Sequence, residues 1–305
     1  MKANDALRRA RALLGAGGIE EAGIEAEVLL RHLLGMSRAQ LYTDGDRELS
    51  EEEQRRFRAL VERRRRGEPA AYLTGHREFY GLDLLVDPRV LIPRPESELL
   101  VELALRYLRD TGLASSPCLV ADIGTGSGAL AIALATYLPQ ALVYATDISP
   151  EALDVAAINC RRHGVADRVT LLQGDLLRPL PGLVDVLVAN PPYVRQRDMS
   201  SLAPEIHDHE PAVALEGGRD GLEVVRRLLP QTPGKLRPGG ALFMEVGYDQ
   251  GAEVRRMAEG LFPGAPVQLE RDLSGIERVL TVYTRCAQQP ATAGTAEMVG
   301  ESRSC

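Results

Sequence analysis

Apolar residues in the first 70 positions recur at helical spacing. Leu7, Ala10, Leu13 and Leu14 form one stripe, followed by Gly15, and Val28, Leu29, Leu30, Leu33 and Leu34 form another, ended by Gly35. A third helix is punctuated at both ends. Ser50 precedes Glu53 at capping-box spacing, Phe57, Leu60 and Val61 supply the apolar stripe, and Gly67 stops it. Residues 1–70 therefore read as a small helical domain. The stretch AYLTGHREFYGLDLLVDPRVLIPRP that follows is rich in aromatics, Gly and Pro. It predicts a β-hairpin and an extended arm over residues 71–96, linking two domains.

Beyond residue 97 short apolar runs alternate with amphipathic segments. Strands are predicted at Cys118–Ile123, Leu142–Thr146, Val169–Leu172, Val184–Ala189, Ala241–Val246 and Val279–Tyr283. Helices are predicted at Ala129–Leu138, from Pro150 to about His163 with Ser149 as cap, and at Leu222–Leu229. This alternation predicts an α/β domain with a parallel, doubly wound sheet over 97–285. Residues 286–305 carry few apolar positions and are predicted to be disordered.

Composition narrows the setting. A 45% hydrophobic and 26% charged chain is ordinary for a soluble protein. No apolar run is long enough to span a bilayer, and the N-terminus lacks the apolar stretch of a secretory signal, so a cytoplasmic protein is expected. The four cysteines are scattered without a CxxC pair, and Cys118 and Cys160 read as small buried residues rather than as disulfide or zinc ligands. Residues 1–70 nearly balance, with 14 Lys/Arg against 13 Asp/Glu, so of the chain's net charge of -7 the remainder carries -8. That acidity argues against direct nucleic-acid binding, which usually needs a basic face.

The first predicted strand runs into Gly124-Thr125-Gly126-Ser127-Gly128 and then a helix. Such glycines let the backbone turn sharply and approach a ligand at the carboxyl end of a sheet. The spacing is G-x-G-x-G, not the G-x-G-x-x-G of a pyrophosphate site, and no GK[ST] follows. An adenosine ligand without phosphates fits, and S-adenosylmethionine is one. Asp147 ends the second strand, where an acidic residue reaches ribose hydroxyls. Asp175 and Leu176, after the third strand, are candidates for the adenine amino group and ring, or else form a surface turn.

The fourth strand ends in Asn190-Pro191-Pro192-Tyr193. Two prolines cannot continue a central strand, so they fix a rigid turn beside the glycine loop. The Asn190 side-chain oxygen and the Pro191 carbonyl could each accept one N–H of a planar NH2 group, while Tyr193 packs on its flat face. A nitrogen held so that its lone pair is freed could attack an activated methyl group without a strong general base.

These residues resemble the HemK/PrmC-type protein-(glutamine-N5) methyltransferases that modify peptide chain release factors. The resemblance covers nearly all of residues 1–285. It is carried by YLTGHREFYGLDLLVDPRVLIPRPESELLVE, DIGTGSGALAIALA, NPPYV, EPAVALEGGRDGLEVVRRL and MEVGYDQGAEV. It implies a class I, Rossmann-like methyltransferase domain with a mostly parallel seven-stranded sheet, S-adenosylmethionine as cofactor, and a release factor as protein partner. It also implies that Gly124 to Gly128, Asp147 and Asn190 contact the cofactor and that Asn190 to Tyr193 hold the glutamine, with Arg94, Pro95 and Glu96 near the pocket. Ser97 and Val194 stand where the family commonly has Thr and Ile.

Other features weigh less. The run Glu62-Arg63-Arg64-Arg65-Arg66 reads as a solvated helix end whose cations oppose the dipole. His207-Asp208-His209-Glu210 lacks a second ligand cluster, so no metal is expected, and it reads as part of a loop covering the substrate. Two other classes share the motifs. An N6-adenine methyltransferase would use the same Asn-Pro-Pro-Tyr chemistry on nucleic acid, and a non-catalytic cofactor-binding module would keep only the glycine loop. A glutamine of a ribosomal protein is a further possible target.

Overall fold

A computed structural model describes residues 1–285, so the predicted disordered tail lies outside the described residues. Five helices open the chain: α1 (Ala3–Ala16), α2 (Ala22–Leu34), α3 (Arg38–Thr43), α4 (Glu51–Arg65) and α5 (Ala70–Thr74). The reciprocal cap of α4 is present, with Ser50 Oγ accepting from the Glu53 N–H at 3.2 Å and Glu53 Oε2 accepting from the Ser50 N–H at 2.8 Å. Leu14, Leu29, Leu30, Phe57 and Val61 form the core of this part. The buried face of α1 differs from the predicted stripe: Ala3, Ala6, Ala10 and Leu14 point inward, Leu13 is exposed, and the helix runs past Gly15. Small residues let α1 and α2 meet along an alanine seam, of which the predicted stripe held only Ala10. α3 and α5 are too short to carry a periodic signal.

The arginine run departs from its reading as a solvated end. Arg65 and Arg66 are exposed and pair with Glu62. Arg64, however, is only 5% exposed, and its guanidinium bridges Glu25 on α2 and Glu205 in the other half of the chain. Removing one member of a buried ion cluster strands the others. Arg64→Met is expected to lower the unfolding free energy by about 3 kcal/mol, the low end of the usual range because Glu205 is partly exposed. A urea titration reads this, and a loss under about 0.5 kcal/mol would mean that solvent screens the bridge.

The hairpin pairs β1 (His76–Phe79) with β2 (Leu82–Leu85). Its two-residue turn has positive φ at both Tyr80 (51°) and Gly81 (76°), the mirror-image turn that matches strand twist. Tyr80 is held in this strained state by its N–H to Glu98 Oε1 at 3.0 Å and by an edge-on contact with the Tyr137 ring.

The rest is a seven-stranded sheet in the order β5-β4-β3-β6-β7-β9-β8. The strands are β3 (Cys118–Ile123), β4 (Ala141–Asp147), β5 (Val169–Gln173), β6 (Val184–Ala189), β7 (Leu236–Glu245), β8 (Val267–Arg271) and β9 (Glu277–Tyr283). β5 to β7 run parallel, and β9 lies antiparallel between β7 and β8. One face is covered by α6 (Glu98–Asp110), α7 (Ala129–Tyr137) and α8 (Pro150–Arg162). The other is covered by α10 (Glu223–Leu228) and α11 (Gly251–Leu261), and α9 (Pro204–His207) lies in the long loop after β6. β7 starts five residues before its predicted position, and its register shifts beside Pro238-Gly239-Gly240. Cys118 and Cys160 are buried and free, and burial pushes both thiols up to about 11. Among the described residues no helix is long and apolar enough to cross a membrane.

Candidate active site

Strand order reverses at β3, with β4 on one side and β6 on the other, which opens a crevice at the carboxyl ends of these strands. The glycine turn occupies it. Gly124, Gly126 and Gly128 all have positive φ (74°, 54° and 85°). The N–H groups of Gly124 and Thr125 both donate to the Thr146 carbonyl at 2.9 Å, tying the turn to β4. A Cβ at Gly124 or Gly126 would meet nothing within 4 Å, so both face open space. At Gly128 it would lie 2.9 Å from Ile132 Cδ1, so this glycine serves helix packing.

Asp147, at the end of β4, accepts from the Gly126 N–H at 2.8 Å and the Ser149 N–H at 2.9 Å. Each carboxylate oxygen keeps a second lone pair, and burial raises the carboxyl above its usual range. Asp122, fully buried at the end of β3, accepts from Thr125 Oγ1 at 2.6 Å and the Ala131 N–H at 3.1 Å, and burial pushes it up to about 7.

A cavity of about 180 Å³ lies over this crevice. Gly124, Gly126, Asp147 and Asn190 line its floor, and Ile148, Leu176 and Val213 give it apolar walls. Arg89, Val90 and Leu91 of the extended arm close one side, and Pro211 to Ala214 of the loop after β6 close another. The arm is fastened by Tyr72 OH to the Val90 carbonyl at 2.6 Å, and by Glu210, which pairs with Arg94 and accepts from the Ile92 N–H at 3.2 Å. Asn159 on α8, fully buried, donates to the carbonyls of both Leu85 and Ser127 at 2.9 Å and accepts from the Leu85 N–H at 2.8 Å. One amide thus joins the hairpin to the glycine turn. A larger depression of about 770 Å³ lies among α2, α4 and Ala203 to Glu205 and shares no lining residue with this cavity.

Asn190 follows β6 directly. Its Nδ2 donates to Ser97 Oγ at 2.9 Å, and its Oδ1 has no partner among the described residues. The Pro191 carbonyl is likewise without a partner among them. Gln250 Nε2 donates to the Tyr193 carbonyl at 3.0 Å, and the Gly217 N–H donates to the Val194 carbonyl at 2.8 Å. The end of the corner is therefore held by residues distant in the chain, while two acceptors at its start have no partner among the described residues.

The sequence-predicted residues divide. Gly124, Gly126, Asp147, Leu176, Asn190 and Pro192 converge on the cavity, and Asp175 lies at its wall. The Asp175 carboxylate pairs with Arg227 and Arg178. Thr125, Ser127 and Gly128 shape the turn without lining the cavity, and Pro191 and Tyr193 stand behind Asn190 and Pro192. Arg94 and Glu96 do not line it either: Arg94 anchors the arm through Glu210, and Glu96 is exposed. In the His207–Glu210 stretch, His207 pairs with Asp208 and Glu210 faces Arg94. No group of three or more His, Cys, Asp or Glu among the described residues is placed to hold a metal ion.

Comparison with known proteins agrees with this architecture. Residues 5–75 match the PrmC N-terminal domain, and residues 102–219 match the methyltransferase small domain. The release factor glutamine methyltransferase of Moorella thermoacetica is 46% identical over 289 residues, covering 93% of this chain and 99% of that protein. The chain belongs to the release factor glutamine methyltransferase family. Another family member, from Geobacter sulfurreducens, is 44% identical and covers 81% of this chain and 84% of its own. The fold also resembles that of the hMettl16 catalytic domain in complex with MAT2A 3'UTR hairpin 6, with a TM-score of 0.54 at 16% identity over 70% of this chain and 80% of that one.

Several supporting residues of this family member's site were not assigned these roles from sequence. Glu245, Gln250 and Asn159 were not named at all, Ser97 was named only as a departure from the family pattern and Glu210 only as part of a loop. All five act through partners distant in the chain. One signal was available: Glu245 closes the apolar run Ala241-Leu242-Phe243-Met244, and an acidic residue inside a buried strand calls for a partner.

Proposed function

We propose that the chain transfers a methyl group from S-adenosylmethionine to the side-chain amide nitrogen of the glutamine in the Gly-Gly-Gln loop of peptide chain release factors. The observation that carries this reading is Asn190, which lines the cavity beside the glycine turn with its Oδ1 unpartnered among the described residues, and next to it in the chain the Pro191 carbonyl, likewise unpartnered among them. An amide nitrogen is a poor nucleophile because its lone pair is delocalised. Asn190 Oδ1 and the Pro191 carbonyl would each accept one N–H of the substrate and hold the lone pair out of conjugation. Positioning of this kind lowers barriers by up to about 7–11 kcal/mol.

The residues fit an adenosine-bearing cofactor. Gly124 and Gly126 leave room for close backbone approach, Asp147 has lone pairs for ribose hydroxyls, and Ile148 and Leu176 offer apolar faces to a base. When bound, the cofactor supplies an electrophilic methyl on a sulfonium centre. Pro211, Val213 and Ala214, with Arg89 to Leu91 of the arm, border the cavity and would limit water at the reacting atoms.

Mass spectrometry of a release factor incubated with the protein and S-adenosylmethionine tests this reading. One added methyl on the Gly-Gly-Gln glutamine is expected, whereas an unmodified release factor alongside methylated DNA would overturn it. Asp147→Ala is expected to weaken cofactor binding by roughly one to two decades, since a hydrogen bond to a charged group is worth about 1.5–3 kcal/mol. Calorimetry measures it, and a change below about threefold would leave Asp147 only its tie to Gly126 and Ser149.

A further inference from the structure

We propose that Ser97, held by Glu245, is a positioning residue that locks the side-chain amide of Asn190 with its oxygen toward the substrate. The proposal rests on the methyl-transfer reading above. An Asn side chain can serve that reaction in only one of its two orientations. Oxygen outward, it accepts from the substrate NH2 group. Nitrogen outward, it sets donor against donor. Something must choose between them.

Ser97 occupies the N-cap position of α6, where a serine ordinarily accepts from the helix backbone. Ser37, Ser50 and Ser149 in this chain do so. Ser97 does not: its backbone is helical (φ -71°, ψ -12°) and its side chain makes no cap hydrogen bond. Its hydroxyl instead donates to Glu245 Oε2 at 2.6 Å. An ionised carboxylate can only accept, so the one hydroxyl proton is committed there. Burial raises the Glu245 carboxyl above its usual range, and the hydroxyls of Ser97 and Tyr193, both donating to it, favour the ionised form. The remaining lone pairs of Ser97 Oγ can then only accept, and they receive Asn190 Nδ2 at 2.9 Å. Proton count along Glu245, Ser97 and Asn190 thereby dictates that Oδ1 faces the cavity.

Burial makes the chain of bonds selective. Ser97 is 5% exposed and Glu245 2%, so water does not offer either group another partner. The second carboxylate oxygen of Glu245 is occupied by Tyr193 OH at 3.2 Å, which fixes the carboxylate relative to the same corner. Glu245, Ser97 and Asn190 come from three separated segments, the end of β7, the start of α6 and the end of β6.

The test measures methylation of a Gly-Gly-Gln-bearing release factor at saturating S-adenosylmethionine. Ser97→Ala frees the amide to rotate and is expected to lower kcat about 30-fold, with the release-factor KM within about threefold. Calorimetry on the same variant is expected to show cofactor affinity within about threefold of the unaltered protein, which also reports that it is folded. Ser97→Thr keeps the hydroxyl and is expected to recover most of the lost rate. In an Asn190→Ala background, Ser97→Ala is expected to add nothing, because Ser97 acts only through Asn190. The lock is overturned alone if the unaltered protein methylates but Ser97→Ala keeps its kcat, or if the loss is the same in the Asn190→Ala background. Both readings fall if the unaltered protein transfers no methyl.

Discussion

Replacing Asn190 by alanine is expected to lower the single-turnover rate of methyl transfer about a thousandfold while cofactor affinity falls less than about tenfold. The two effects separate because of where the side chain sits. Cofactor contacts are spread over the glycine turn, Asp147 and the apolar walls, and the Asn190 amide is one contributor among them. The substrate amide, in contrast, has two acceptors, Asn190 Oδ1 and the Pro191 carbonyl. Losing one leaves the nitrogen free to rotate back into conjugation. Rapid-quench assays with labelled cofactor, together with calorimetry, resolve the two quantities. A rate loss under about tenfold would mean that the corner does not orient the nucleophile.

The second large effect is predicted at a residue outside the cavity. Gly217→Ala is expected to lower kcat about a hundredfold with cofactor binding preserved, because small misplacements of reacting groups are costly. A Cβ at Gly217 would lie 2.6 Å from the Gly221 carbonyl and 2.7 Å from the Pro192 carbonyl. Both obstacles are main chain, so neither can swing aside as a flexible side chain would. The segment bearing Pro192 must move, and it carries the Asn190-Pro191 acceptors with it. An unchanged kcat in this variant, with the protein folded by its melting curve, would show that the corner tolerates displacement.

Much of this architecture was readable from local chemistry. The capping box at Ser50 and Glu53, the Ser149-Pro150 helix start and the buried strands all form where their own neighbours specify them. The glycine turn and the Asn-Pro-Pro-Tyr corner were legible because unusual backbone demands unusual residues. The elements not predicted are α6, α11 and β8 and the short helices α3, α5 and α9, and α11 and β8 were missed for different reasons. α11 holds Val254, Met257, Ala258 and Leu261 at helical spacing, but Gly251 and Gly260 within it masked the signal. β8 is a five-residue edge strand with little pattern to read. The supporting network stayed hidden because it is tertiary. Nothing near Arg64 announces Glu205, and nothing near Asn190 announces Ser97. The reading of the arginine run as solvated holds for Arg63, Arg65 and Arg66 and fails at Arg64, because a charge cluster in sequence does not say which of its members will be enclosed.

The hairpin has a consequence for how the molecule divides. Phe79 and Leu84 are buried in the same core as α6, α7 and β3, and Asn159 pins Leu85 to the glycine turn. The catalytic half is therefore not a detachable cartridge beginning at residue 97. A shortened version starting there would lack part of its own interior, so the smallest self-sufficient unit must include the ribbon from His76 onward.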